Sequence, residues 1–265
     1  MEDQEPKHVR RVRYKGTHPK AFKEKYKELQ PEIYSEDVDK VMQQGRTPAG
    51  MHRSICVDEI MEFLNIVPGQ IGLDATLGYG GHAQEMIKRL IPGGHLYALD
   101  ADPLELPRTK ERLLTKGFGP EVVSFHIMNF SSIDQITYES GLLNFVLADL
   151  GVSSMQIDNP DRGFSFKVEG PLDLRLNPKN GVPASDFLKN IQRDELEELL
   201  LVNSDEPHYI PIAKAIVSKV SKGIKISTTT QLKQIIQEAL DFLPENIKKE
   251  EIKKVKISIS STINT

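Results

Sequence analysis

The sequence predicts an α/β fold built on a parallel, Rossmann-like sheet, and three observations predict it. Between positions 57 and 148, short apolar stretches alternate with amphipathic, helix-like ones. A glycine-rich turn, Gly78-Tyr79-Gly80-Gly81, separates the first apolar stretch from the helix-like stretch that follows. An acid, Asp100, ends the second apolar stretch, 22 residues beyond Gly78. Strands joined through helices of about ten to fifteen residues form right-handed βαβ units, which make the sheet parallel.

Taken in order, Lys20 to Leu29 reads as a short basic helix stopped by Pro31, and Ser35 as the cap of a second helix ending near Gln44 and Gly45. Val57 to Leu64 has helical spacing. Ile71 to Ala75 reads as a buried strand weakened by Gly72, and Gly81 to Leu90 as a helix ended by Pro92-Gly93-Gly94. His95 to Leu99 is a second strand, and Pro103 to Lys116 a helix with proline in its first turn. Val122 to His126, Ser131 to Glu139 and Asn144 to Ala148 continue as strand, helix and strand. Residues 150–182 are rich in Gly, Pro, Asp and Asn without periodicity, which marks a long functional loop. Four helical stretches follow at about 183–190, 193–202, 208–221 and 229–242, and no strand pattern separates them. In the last stretch, Lys248 to Thr265, the Ile-Ser-Ile-Ser alternation suggests a strand with nothing downstream to pair with it. The expected divisions are a basic extension at 1–50, a core at 51–160, a loop and helical insert on the substrate side at 161–250, and an aberrant tail at 251–265.

Charge is unevenly spread. Nine basic residues and one acid lie between Lys7 and Lys27, a net +8, which leaves −12 for the rest of a 265-residue chain whose total is −4. A basic arm on an acidic body suits a polyanion such as nucleic acid, and it equally suits a solvated tail. No run reaches the roughly 18–20 apolar residues of a membrane span, and the opening Met-Glu-Asp-Gln-Glu-Pro does not resemble a signal peptide. The single cysteine, Cys56, excludes an internal disulfide and a thiolate metal cluster, so a cytoplasmic location is expected. The seven histidines show no ligand spacing, and neither a P-loop nor a Gly-x-Ser-x-Gly elbow is present, so no metal site is expected.

Three segments carry chemistry. Asp74-Ala75-Thr76-Leu77-Gly78-Tyr79-Gly80-Gly81-His82 follows a strand and opens a helix, so its backbone can approach a ligand closely and Asp100 can bind a pair of ribose hydroxyls. The letters also fit the G-x-G-x-x-A dinucleotide fingerprint, which keeps an NAD-dependent oxidoreductase as an alternative. Asp74 ahead of the glycines is more familiar from S-adenosylmethionine enzymes, and it also suits a turn cap. Asp149-Leu150-Gly151-Val152-Ser153-Ser154-Met155-Gln156 follows the fourth strand, where Asp149 either accepts a hydrogen bond from an amine or caps a turn. In Asp161-Arg162-Gly163-Phe164-Ser165-Phe166 and Gly170-Pro171-Leu172-Asp173-Leu174-Arg175, two aromatics beside two arginines suit a flipped base and its phosphates. The other reading is that Phe164 and Phe166 anchor the loop while Arg162 and Arg175 pair with nearby acids.

Together with Leu99-Asp100-Ala101-Asp102-Pro103 and Asn129-Phe130-Ser131, these motifs resemble the small-subunit (16S) rRNA (cytosine-N4-)-methyltransferases, the MraW/RsmH family, over about residues 51–250. The resemblance implies a class I S-adenosylmethionine-dependent methyltransferase core with an inserted helical domain. It also implies S-adenosylmethionine as donor and a decoding-region cytidine of the 30S subunit as acceptor. By motif, Gly80, Gly81, His82, Asp100, Phe130, Asp149 and Gln156 would hold the donor. Asp149 would be catalytic, and Arg162, Phe164, Phe166 and Arg175 would meet the substrate. The tail after Lys254 departs from the family pattern. A C-terminally truncated member with an incomplete core sheet is therefore expected, and an inactive paralogue that binds RNA or donor without catalysis is the alternative.

Overall fold

The computed structural model describes residues 54–264. The helices expected at 20–29 and 35–44 and the Lys7–Lys27 arm lie outside the described residues. Ser54–Thr265 forms one compact unit.

The first lobe alternates as expected: α1 (Val57–Leu64), β1 (Ile71–Asp74), α2 (Gly81–Leu90), β2 (His95–Asp100), α3 (Glu105–Thr115), β3 (Val123–Ile127), α4 (Ile133–Ser140) and β4 (Phe145–Leu147). All pairings are parallel and the order is β3-β2-β1-β4, with Leu73 opposite both Tyr97 and Val146. Strand alternation divides the apolar side chains between two faces. Leu96, Ala98, Val123 and Phe145 pack under α1, α2 and α3, while Leu73, Tyr97 and Leu99 pack against Ile136 of α4. Gly72, which weakens the strand pattern in the sequence, has a packing reason. A Cβ there would lie 2.0 Å from the Phe145 ring of the neighbouring strand. The chain steps outward from β1 to β3 and then returns to the other side of β1. That reversal puts a topological switch point between β1 and β4, where such sheets bind ligands beyond their carboxyl ends.

The second lobe is helical: α5 (Ser154–Asp158), α6 (Ala184–Asn190), α7 (Arg193–Ser204), α8 (Tyr209–Ser221), α9 (Thr229–Ala239) and α10 (Glu245–Asn264). Thr228 begins α9 with a capping box, its hydroxyl accepting from the Gln231 backbone while Gln231 reaches back to the Thr228 N–H. The strand-like reading of the tail is corrected here, because residues 251–264 are the continuation of α10. Ile252, Val255 and Ile259 follow helical spacing and are buried against the second core, whereas Ile257, the other member of the alternation, is half exposed. Ser258 is tolerated inside because its hydroxyl donates to Leu199 O at 2.6 Å. Among the described residues, four strands form the sheet and no helix is long and apolar enough to cross a membrane.

Candidate active site

Four loops leave the carboxyl ends of four adjacent parallel strands. After β1, the Asp74 carboxylate accepts from the Thr76 N–H at 3.1 Å, and Thr76 Oγ1 in turn accepts from the Asp149 N–H at 2.7 Å, linking the turns after β1 and β4. Asp100, at the end of β2, accepts from the Gly78 N–H at 2.7 Å and from the Asp102 N–H at 2.8 Å. The glycine turn is thus held open by the acid expected to face a ribose. Gly80 caps α2 at φ 83, and a Cβ on it would lie 2.8 Å from Thr109 Cγ2. Phe130, just beyond β3, is 47% exposed. Asp149 is exposed at the mouth.

Electrostatically the cleft is acidic. Burial, reinforced by the nearby Asp100 and Asp149 carboxylates, pushes Asp74 up to about 7 against the bond from Thr76. Burial also raises Asp100, despite its two N–H donors. The three carboxylates lie close enough for Asp100 and Asp149 to act on Asp74, and a nearby cation relieves that repulsion. A cavity of about 200 Å³ lies beyond the ends of β2 and β3, lined in part by Ala101, Met128 and Asn129 and by Leu176, Asn177 and Asn264; Gly80, Asp100, Phe130 and Asp149 do not line it.

Other expected donor residues look elsewhere. His82 is buried, with Nε2 2.8 Å from Ile55 O, and a Cβ on Gly81 would meet Ser54 Oγ at 2.1 Å, so both back onto the Ser54–Ile55 segment. Gln156 is buried too: its Nε2 donates to Asp102 Oδ2 at 2.8 Å, and its Oε1 accepts from the Ser153 N–H.

On the acceptor side, the loop has the anchoring arrangement of the two that the sequence allows. Arg162 is buried and donates to Asp102 Oδ2 at 2.7 Å and to Leu176 O at 2.7 Å. Phe164 is fully buried in the helical core, with Phe166 partly buried against it. Arg175 grips Asp173 through two bonds of 2.7 Å. Of the residues expected to meet the substrate, Arg162 and Phe164 are buried, the ring in the apolar core and the guanidinium on a buried carboxylate, while Phe166 and Arg175 are partly exposed. Asp102, Thr76 and Thr109 are the residues that sequence reasoning missed. Only the spacing of Asp102 two residues beyond Asp100 was a signal, and it does not reveal the partner.

A family model described as the MraW methylase family matches residues 49–265. The chain belongs to the MraW methylase family. Relatives within it include "Ribosomal RNA small subunit methyltransferase H 2" of Alkaliphilus metalliredigens strain QYMF, 66% identical over 254 residues, 96% of this chain and 73% of that one. A second, "Ribosomal RNA small subunit methyltransferase H 1" of Lachnoclostridium phytofermentans, is 61% identical over 253 residues, 96% of this chain and 69% of that one. A third, from Acholeplasma laidlawii strain PG-8A, is 50% identical over 251 residues, 95% of this chain and 72% of that one. Membership makes S-adenosylmethionine the cofactor and removes the support for the nicotinamide reading.

Proposed function

We propose that this chain transfers a methyl group from S-adenosylmethionine to the N4 amine of a cytidine in the decoding region of small-subunit rRNA, presented in the 30S subunit. The observation that carries the reading is the gathering of Asp74, Asp100 and Asp149 around a glycine turn at the switch point. The donor's sulfonium and ammonium groups are the cations such a cleft suits, and its ribose is the diol a carboxylate such as Asp100 binds.

S-adenosylmethionine supplies an electrophilic methyl on sulfur. The rest is positioning, because an in-line displacement gains most of its rate from orientation. Gly80 and Gly81 let the turn pack closely on Thr109 and Ser54, which fixes it for the donor, Asp100 binds the hydroxyls, and Phe130, just beyond β3, offers an exposed apolar face. His82 and Gln156 act from behind, by fixing the helix start and the loop. The cytosine amine is a weak nucleophile, since its lone pair is delocalised into the ring. Exposed at the mouth, Asp149 accepts its N–H and turns the nitrogen toward the methyl group. Phe166 and Arg175, partly exposed, are the candidates left for the acceptor side. Arg162 and Phe164 shape that side from within.

The test is incorporation of labelled methyl groups into 30S subunits lacking this modification, with Asp149→Ala in parallel. Transfer to a cytidine N4, lost in Asp149→Ala while donor binding persists, is the expected result. Donor binding without transfer by the unaltered chain favours the inactive-paralogue reading. Full activity of Asp149→Ala removes its catalytic role.

A further inference from the structure

Asp102 is completely buried, and its carboxylate is the meeting point of three segments. Oδ1 accepts from the Leu104 N–H at 2.9 Å, and Oδ2 accepts from Gln156 Nε2 at 2.8 Å and from Arg162 Nη1 at 2.7 Å. The same Arg162 guanidinium reaches on, through Nη2, to Leu176 O at 2.7 Å and Arg175 O at 3.3 Å. In the other direction, the Asp102 N–H bonds Asp100, whose second oxygen holds the Gly78 N–H. A continuous chain of hydrogen bonds therefore runs from the glycine turn through Asp100, Asp102 and Arg162 to Leu176. The Leu176 end of that chain lines a cavity together with Asn177, and Ala101, between the two aspartates of the chain, lines the same cavity.

Stability alone is a poor account of such a pair, because desolvating two charges offsets most of their attraction and an apolar pair often serves as well. Geometry accounts for it better. A planar guanidinium delivers parallel donors at fixed angles, so it can hold a carboxylate and a carbonyl at once.

We propose that the Asp102–Arg162 ion pair is a positioning strut that couples the donor turn to the acceptor-side loop. A ligand that orders residues 78–102 thereby also orders residues 174–181, and, by reciprocity, an acceptor that orders the loop tightens the donor site. The ligand half of this statement rests on the function proposed above; the mechanical half does not.

The test uses the full chain and the double variant Asp102→Asn/Arg162→Met. It removes both charges together, so no lone buried charge is left to unfold the protein. Amide exchange is followed in peptides covering 77–84 and 174–181, with and without S-adenosylhomocysteine, and affinity is measured by calorimetry. In the unaltered chain the ligand is expected to slow exchange in both segments. In the double variant both segments exchange faster without ligand, affinity falls about tenfold, within the usual range of coupling, and the ligand no longer protects 174–181. A folded double variant with unchanged affinity and unchanged exchange overturns the strut. If the unaltered chain binds no S-adenosylhomocysteine, the donor reading fails, and the ligand-free exchange still decides: joint loosening supports the strut, and loosening of 174–181 alone overturns it. Should the double variant not fold, Arg162→Lys, which keeps the charge but lacks the fork, is read in the same way, with an intermediate loss expected.

Discussion

At the scale of single residues, Asp74 and Gly80 carry the most definite expectations. Asp74 titrates near 7 because it is buried among carboxylates. A carboxyl whose folded pKa exceeds its unfolded value binds protons more tightly when folded. Its stabilising contribution is therefore full below the ordinary aspartate range and lost as pH rises through about 7. The whole loss is ~4 kcal/mol by the usual conversion of pKa shift to free energy. Thermal melts between pH 5 and 8.5 should show that decline in the unaltered chain and a flatter profile in Asp74→Asn, which keeps an oxygen for the Thr76 N–H. Gly80 sits at a left-handed φ of 83 with Thr109 Cγ2 2.8 Å from where a Cβ would go. Gly80→Ala should lower the free energy of unfolding by about 1–3 kcal/mol in urea titrations, and Thr109→Ser should recover part of it by removing the methyl.

At the scale of elements, the strands and most helices are legible because burial on both faces of a parallel sheet demands short apolar runs, and the flanking helices show one apolar stripe each. The donor turn is legible for a related reason: Gly78, Gly80 and Asp100 act locally or at a fixed spacing. Two things are not legible. The Ile257–Ser260 alternation competes with the Ile252, Val255 and Ile259 spacing, and only the presence of a helical core to bury the latter decides for helix. Likewise, Phe164 beside Arg162 reads the same whether the ring stacks a base or fills a core, and the Asp102 that settles it lies 60 residues away. The same docking of α10 creates an acidic contact, since Glu206 meets Glu251 with one oxygen of each buried and no donor from any other group on it. Burial, and then the hydrogen bond shared with Glu251, pushes Glu206 up to about 8. A shared proton stabilises the contact, so the helical lobe should lose stability as pH rises through about 8. Glu206→Gln, which can still accept from the His208 N–H, should abolish that loss in melts from pH 6.5 to 9.5.

At the scale of the whole molecule, the two lobes share little apolar core and are joined by the buried network around Asp102. Arg162→Met alone leaves a carboxylate buried without its cation and should cost about 3–5 kcal/mol. The double variant with Asp102→Asn should sit much nearer the unaltered chain. The difference between them, read by chemical denaturation, measures the penalty of the orphaned charge. The helical core also has a temporal side. Residues 57–147, which make the sheet and its helices, emerge from a ribosome as one uninterrupted stretch and can collapse as soon as they are clear of the exit tunnel. Phe164 emerges soon afterwards, yet its neighbours in the core include Val255 and Ile259, and its carbonyl waits for Lys256. During synthesis the core that buries this ring is therefore completed only when α10 arrives.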